Sequence, residues 1–338
     1  MKSTKRSALV TVVGGALIAL ALTGAWTEPA RAQQVKLTMV GAWAPKVSPA
    51  ADISIRFRDE VNRLAGGKLV IEYKGAAEVV PTFDQPEALV RGVFDVWYGA
   101  PNYWAGVVPG GYITELSRFE VPDNGPGSEL FDLMVKLYAA KGVRYLGHAS
   151  GGPGTGNHFM FTQKKVARIA DLRRMKIRVP PLTRFFVQSV GAEPVTLPPG
   201  EIHIALERGT VEGFTWPTYD GFTNFGWHEV TKFVIQHPLY RDGVGVAMNM
   251  AKWNSLPKDL QQVVLEAVRQ TQRWSQGFVA GHQTAQLATM RKAGMQMIEF
   301  SPADAAHWTK TANEALWAQF KKVMAADDYA RARKLLGE

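Results

Sequence analysis

The chain has 338 residues, 39 lysines and arginines against 30 acids, a formal charge of +9 and no cysteine. The missing thiol excludes a lipoprotein anchor, a disulfide framework, a cysteine nucleophile and cysteine metal sites. The cations are scattered among acids with no basic run of five, which speaks against a nucleic-acid surface, and the length supports two domains with real cores.

The first element is a secretory signal. Lys2, Lys5 and Arg6 form its basic region, Ala8 to Trp26 its apolar stretch, and Ala30-Arg31-Ala32 a small-x-small cleavage site, so residues 1–32 are expected to be removed before Gln33. Gly14, Gly15, Gly24 and the cleavage site disfavour a retained membrane anchor. Lys5-Arg6 is not a twin arginine, so general secretion is expected. Losing Lys2, Lys5, Arg6 and Arg31 together with Glu28 lowers the formal charge to +6.

The mature chain then opens on V-K-L-T-M-V, which reads as a strand running into the loop G-A-W-A-P-K-V-S-P. Ser48 is placed to cap a helix with Pro49 at its first position, and Ile53, Phe57, Val61 and Leu64 recur at helical spacing until Gly66-Gly67. Residues 68–74 follow as a strand, so strand, helix and strand imply a right-handed crossover and a parallel pair. A short internal repeat comes next. Ala88-Leu89-Val90-Arg91-Gly92-Val93-Phe94-Asp95 parallels Ala205-Leu206-Glu207-Arg208-Gly209-Thr210-Val211-Glu212. Each copy reads as a helix end, a terminating glycine and a short strand beginning with an acid, which suggests two α/β lobes offering strand ends to a shared cleft.

Val143–His148 and His158–Phe161 read as strands on either side of the glycine-rich run Gly151–Gly156, taken as a crossing between lobes. That run lacks the glycine-lysine-serine or -threonine of a phosphate loop. In the segment Ile177-Arg178-Val179, strand alternation separates the arginine from its apolar neighbours, and Pro180-Pro181 ends the strand just beyond it. Arg178 is therefore expected near the C-terminal end of a strand, where α/β sheets present ligand crevices and where a guanidinium fork suits a carboxylate. Val230–Ile235 and Val244–Met250 read as strands and 257–290 as a helical run. Ile298 closes a last strand before helices over 302–322 and 329–336.

These segments together resemble the solute-binding proteins of TRAP transporters, the DctP-type family. The resemblance rests on Asp171, Leu172, Lys176, Ile177, Arg178 and Val179, then Gly191, Ala192, Pro194 and Val195, then Glu201, Ala205, Leu206, Gly209, Val211 and Gly213. The chain departs from the family pattern at Arg174, a family glycine, at His203, a tyrosine, and at Glu212, an aspartate. Segments 66–73, 88–96, 141–147 and 253–260 also fit, so the likeness extends over nearly the whole mature chain.

The resemblance implies an α/β, two-lobed periplasmic solute-binding fold, with a ligand cleft between the lobes and a long helix, here the 257–290 run, spanning both. The expected first lobe is 33–155 with ~244–283, and the second 156–243 with ~284–338. It implies that Arg178 clamps a substrate carboxylate and that Trp216 reaches the ligand. Thr215 stands where some oxo-acid binders carry an acid that helps hold a metal, so no metal or other cofactor is expected. Asn157 or His158 lies where some members have a second arginine, which argues against a sialic-acid-like ligand. Trp43, Glu78, Tyr98 and Tyr103 are expected on first-lobe loops at the cleft edge. With Trp216 and Tyr219, the first-lobe aromatics would line a wall suited to an aromatic carboxylate or a short oxo- or hydroxy-acid.

The expected role is a monomeric periplasmic receptor that hands an organic acid to the small and large membrane subunits of a TRAP permease. A periplasmic sensor feeding a different receptor system is the alternative. A secreted enzyme is disfavoured, because no H-E-x-x-H and no G-x-S-x-G is present.

Overall fold

The structure, a computed structural model, describes residues 34–116, 125–150, 157–217, 221–241 and 243–337. The signal-peptide expectation, the glycine-rich run 151–156 and Tyr219 fall outside the described residues. In chain order the strands are β1 (Val35–Gly41), β2 (Leu69–Gly75), β3 (Val96–Gly99), β4 (Val143–Ser150), β5 (His158–Thr162) and β6 (Lys176–Val179). They continue with β7 (Glu193–Thr196), β8 (Gly213–Pro217), β9 (Phe233–Ile235), β10 (Val244–Asn249) and β11 (Gln296–Ile298). The helices are α1 (Pro49–Leu64), α2 (Gln85–Val90), α3 (Glu129–Ala139), α4 (Arg184–Ser189) and α5 (Ile202–Glu207). They continue with α6 (Trp227–Val230), α7 (Met250–Ser255), α8 (Lys258–Lys292), α9 (Pro302–Val323) and α10 (Ala326–Leu335).

Two sheets form. One is five-stranded in the order β2-β1-β3-β10-β4, the other six-stranded in the order β11-β9-β5-β8-β6-β7. The first strand pair follows the expected local logic. Ser48 Oγ accepts the Ala50 N–H at 3.2 Å to cap α1, and Ile53, Phe57 and Val61 are buried beneath it. Gly66 and Gly67 then take positive φ, and β2 returns parallel to β1. In the other sheet β6 lies between β7 and β8, parallel to both.

The internal repeat proves to be a shared structural device. In the first copy Gly92 (φ 74°) ends α2, and the Asp95 N–H donates to Thr38 O on β1 at 3.0 Å. In the second, Gly209 (φ 69°) ends α5, and the Glu212 N–H donates to Lys176 O on β6 at 2.7 Å. The two acids answer in kind: Asp95 Oδ2 accepts the Thr38 N–H at 2.8 Å, and Glu212 Oε2 the Lys176 N–H at 3.3 Å. Each copy thus delivers its following strand, β3 or β8, beside a parallel neighbour.

The chain passes between sheets as a paired ribbon. His158 N–H donates to Tyr240 O at 2.9 Å and Leu239 N–H to His158 O at 2.8 Å, while Arg241 N–H reaches Glu115 O at 3.1 Å. Helix α8, 35 residues long, packs on β4 and α1, and further along its Gln286 Nε2 donates to Thr223 Oγ1 at 3.4 Å beyond β8. The terminal helices diverge: α9 packs on α4, whereas α10 packs on α3, tied by Lys136 Nζ to Asp328 Oδ1 at 2.6 Å. No helix among the described residues is long and apolar enough to cross a membrane.

Two local expectations are corrected. Val230 ends the short helix α6, and the strand begins only at Phe233, because Gly226 (φ 71°) starts a helical turn there. Tyr98 lies in strand β3 rather than on a loop and is fully buried.

Candidate ligand-binding site

The site is built around Arg178. Both flanking residues and the arginine itself are buried, with Arg178 0 % exposed. Its Nε donates to Leu197 O at 2.8 Å and its Nη1 to Thr215 O at 3.4 Å, so the loop after β7 and the strand β8 hold one side of the fork. The guanidinium carbon stands 5.3 Å from the centroid of the Trp216 ring, a cation–π distance. Nη2 is buried and has no hydrogen-bond partner among the described residues. Burial pulls the guanidinium down to about 10, with Tyr103 acting in the opposite direction, so it stays charged at neutral pH.

Supporting groups fix this geometry. Thr215 Oγ1 and Thr183 Oγ1 share a hydrogen bond of 2.6 Å, both fully buried. Thr183 belongs to the 3₁₀ turn Pro181–Thr183 that the two prolines start, and this turn packs against the 3₁₀ turn Pro101–Trp104 that follows β3. Tyr103 thereby comes from the first sheet to the neighbourhood of Arg178. The turn carrying it is braced by Asn102 Nδ2 on Glu115 Oε1 at 3.2 Å.

Behind Tyr103 stand Trp43, with ring centroids 5.9 Å apart, and Phe83, 5.1 Å away and edge-on. Trp43 is positioned by backbone contacts on both sides. Ala42 N–H donates to Tyr98 O at 2.8 Å, and Gln85 Nε2 bridges Gly41 O and Val80 O at 3.1 and 3.0 Å. Its own indole N–H is buried without a partner among the described residues. On the other side Trp216 packs against Trp227 at 5.0 Å.

His158 is 1 % exposed. Burial first, and the Arg178 charge second, push its imidazole down to about 3, a hydrogen bond with the Thr215 backbone partly offsetting them. It is a neutral neighbour of the guanidinium, not a second cation. Asn157 is half-buried and forms a single bridge with Arg241. Glu78 is exposed and spends its carboxylate on the Ala76 N–H at 2.8 Å, closing the turn after β2. The structure therefore gathers Arg178, Thr215, Trp216 and His158 from one sheet with Tyr103 and Trp43 from the other. Tyr98 contributes backbone to this group, and Glu78 is not drawn into it. Thr183, Phe83 and Gln85 escaped the sequence reading. Thr183 lies just past the proline pair that signals the strand end, but Phe83 and Gln85 act through tertiary contacts that no local pattern announces.

Residues 40–323 match the model of the family described as bacterial extracellular solute-binding protein, family 7 (DctP). The chain belongs to that family. Among its relatives, a monocarboxylate 2-oxoacid-binding periplasmic protein of Nostoc sp. is 23% identical over 264 residues, covering 76% of this chain and 71% of that one. The C4-dicarboxylate-binding periplasmic protein of Rhodobacter capsulatus is 22% identical, covering 88% of this chain and 90% of the other. Among solved structures, a Bordetella pertussis extracytoplasmic solute receptor binding pyroglutamic acid superposes with a TM-score of 0.77 at 17% identity, covering 90% of this chain and all of that one. A TRAP periplasmic solute-binding protein of Ralstonia eutropha with bound (S)-2-acetolactate gives a TM-score of 0.76 at 19% identity over 89% of this chain and 98% of the other. The fold is thus the two-lobed α/β fold of TRAP periplasmic solute-binding proteins, among which one from Roseobacter denitrificans was solved with bound β-D-glucuronate.

Proposed function

We propose that this DctP-family protein is a periplasmic receptor that seats one carboxylate on Arg178 and delivers the acid to the small and large membrane subunits of a TRAP permease. The observation that carries the reading is the fully buried fork with Nη2 unpartnered. A buried unsatisfied donor costs about 1–3 kcal/mol, and a buried charge more unless it is paired. Nε and one Nη1 hydrogen are occupied by Leu197 and Thr215, which leaves the Nη1–Nη2 edge as the bidentate seat. A carboxylate there supplies both the acceptors and the opposite charge.

One cation and a neutral His158 suit a monocarboxylate. Trp43 offers a second unpaired donor from the opposite wall, which suits an oxo or hydroxyl oxygen on the ligand. The 2-oxoacid specificity named for the Nostoc relative points the same way. Short oxo- or hydroxy-acids are therefore preferred over plain aromatic carboxylates, with Trp216 and Tyr103 covering the apolar body.

The lobes would divide between the two sheets, as 33–155 with ~244–283 and 156–243 with ~284–338, and would open about the 157–158/239–241 ribbon. Without a ligand the closed form leaves Arg178 Nη2 and the Trp43 N–H unsatisfied, so an acid favours closure by supplying partners that exist only there.

Isothermal titration with a panel of oxo-, hydroxy-, aliphatic and aromatic acids tests the reading, with the matching amides as controls. One saturable site for acids and none for amides is expected. Amides that bind as well as acids would remove the clamp.

A further inference from the structure

A contact between two loops outside the clamp joins its two walls. Residues 44–47 form the turn directly after Trp43, with the Val47 N–H on Ala44 O at 3.3 Å. Within it Lys46 adopts φ 69°, in the left-handed region, which turns its carbonyl toward the opposite loop. That carbonyl accepts from Asn224 Nδ2 at 2.9 Å. Nearby, Gly221 (φ 66°) approaches so closely that a Cβ there would lie 2.9 Å from Val47 O. The 221–225 loop is in turn attached to the other wall: Phe225 stacks on Trp227 at 4.5 Å and meets Trp216 edge-on at 6.3 Å. The turn carrying Trp43 and the loop buttressing Trp216 are thus joined by one hydrogen bond and one glycine-sized approach. Arg178 is 0 % exposed, so nothing reaches or leaves it until the two walls separate.

We infer that Asn224 and Gly221 are positioning residues: by docking on the Lys46–Val47 backbone they hold Trp43 over the clamp and set how long a bound acid is retained. The inference rests on the carboxylate reading above but concerns residues that touch no ligand. Every exchange of ligand must break this contact, whereas an encounter with the open form precedes its formation. Its loss should therefore appear in release and not in association.

The experiment is stopped-flow tryptophan fluorescence with 2-oxobutanoate and benzoate as probes. The parent is compared with Asn224→Asp, which keeps the shape but replaces the donor by an acceptor facing Lys46 O, and with Gly221→Ala. Asn224 is exposed, so its substitution should leave the fold intact even if Gly221→Ala fails to fold. Release faster by roughly tenfold in Asn224→Asp is expected, with association within about twofold and an unchanged melting temperature without ligand. Unchanged release, or an affinity loss carried by association or by a lower melting temperature, overturns the inference while leaving the clamp standing. Failure of both acids to bind the parent overturns the carboxylate reading and the inference with it.

Discussion

The two sheets reuse one device but fill one slot beside it differently. The backbone pairings Asp95 to Thr38 and Glu212 to Lys176 align β1 with β6. Two positions further along, Val40 pairs with Trp97 in the first sheet, and Arg178 pairs with Phe214 in the second. Val40 is 1 % exposed and Arg178 0 %. The same slot therefore holds an aliphatic side chain in one half and a buried guanidinium in the other. A valine fills the equivalent slot of the first sheet, which supports the proposal that the Arg178 charge serves a ligand and not the fold.

Making the halves alike is the most severe test of this comparison. Arg178→Met removes the charge while nearly keeping the volume. Truncating one partner of a buried hydrogen-bonded charge pair costs about 2–5 kcal/mol, roughly thirty- to several-thousand-fold in affinity. Calorimetry should show a loss on that scale for Arg178→Ala and Arg178→Met, with Arg178→Lys restoring only part because a point charge replaces a fork. Thermal melts without ligand should show Arg178→Met no less stable than the parent, since replacing a buried charge by a well-packed apolar group is often neutral or stabilising. A large drop in melting temperature with binding intact would make the arginine structural.

A smaller effect comes from histidines buried one in each sheet. Burial pushes His148, bonded to Thr114 Oγ1 at 3.2 Å, down to about 4 and His158 down to about 3. Both have folded values below the ordinary one near 6.5, so the unfolded chain binds the protons first as the solution acidifies. The stability they contribute is complete above about pH 6.5 and declines through about pH 4 for His148 and about pH 3 for His158, by up to about 1.4 kcal/mol per pH unit each. Urea unfolding at pH 7 and pH 5 should show the decline, and His148→Gln should remove about half of the slope. Affinity for the acid should stay flat between about pH 6 and 8, because neither Arg178 nor His158 titrates there.

The smallest expected effect sharpens the comparison at the entrance to β6. Among the described residues only Lys46 and Arg174 are non-glycine with positive φ. Arg174 takes φ 64°, a conformation that glycine adopts without strain. A left-handed conformation costs an ordinary residue about 1–2 kcal/mol, so Arg174→Gly should raise the unfolding free energy by about 1 kcal/mol, less the entropy that glycine adds to the unfolded chain, read as a higher urea midpoint. A lower midpoint would show that the Arg174 side chain contributes more than its backbone costs.

Much of this was legible in the sequence because it is local. Ser48-Pro49, Gly66-Gly67, the paired helix-glycine-acid segments and the 257–290 run each carry their own instruction, and β1, α1, β2 and α8 follow them. Arg178 was legible because alternation and two prolines place it at a strand end. What failed turned on hydrogen bonds and strand pairing that residue type alone does not specify. Glu78 was expected beside the cleft, but the nearby Ala76 N–H takes its carboxylate. Tyr98 was expected on a loop, but β10 pairs with it through Val246 and extends the strand. Phe83 joins the aromatic wall only because Tyr103 is brought to it by a different turn.

The place of β10 has a consequence for the order in which the molecule can be assembled. It lies in the interior of the first sheet, between β3 and β4, although β4 ends almost a hundred residues earlier in the chain. A chain released N-terminus first, from a ribosome or through a membrane pore, can pair β1, β2 and β3 early. It cannot close that sheet until Val244–Asn249 has emerged. By then the strands β5 to β9 of the second sheet are already available. The sheet that begins first therefore waits on a strand that emerges after five strands of the other, and such nonlocal pairing favours slow folding. Until that strand is in place the first sheet has no partner between β3 and β4.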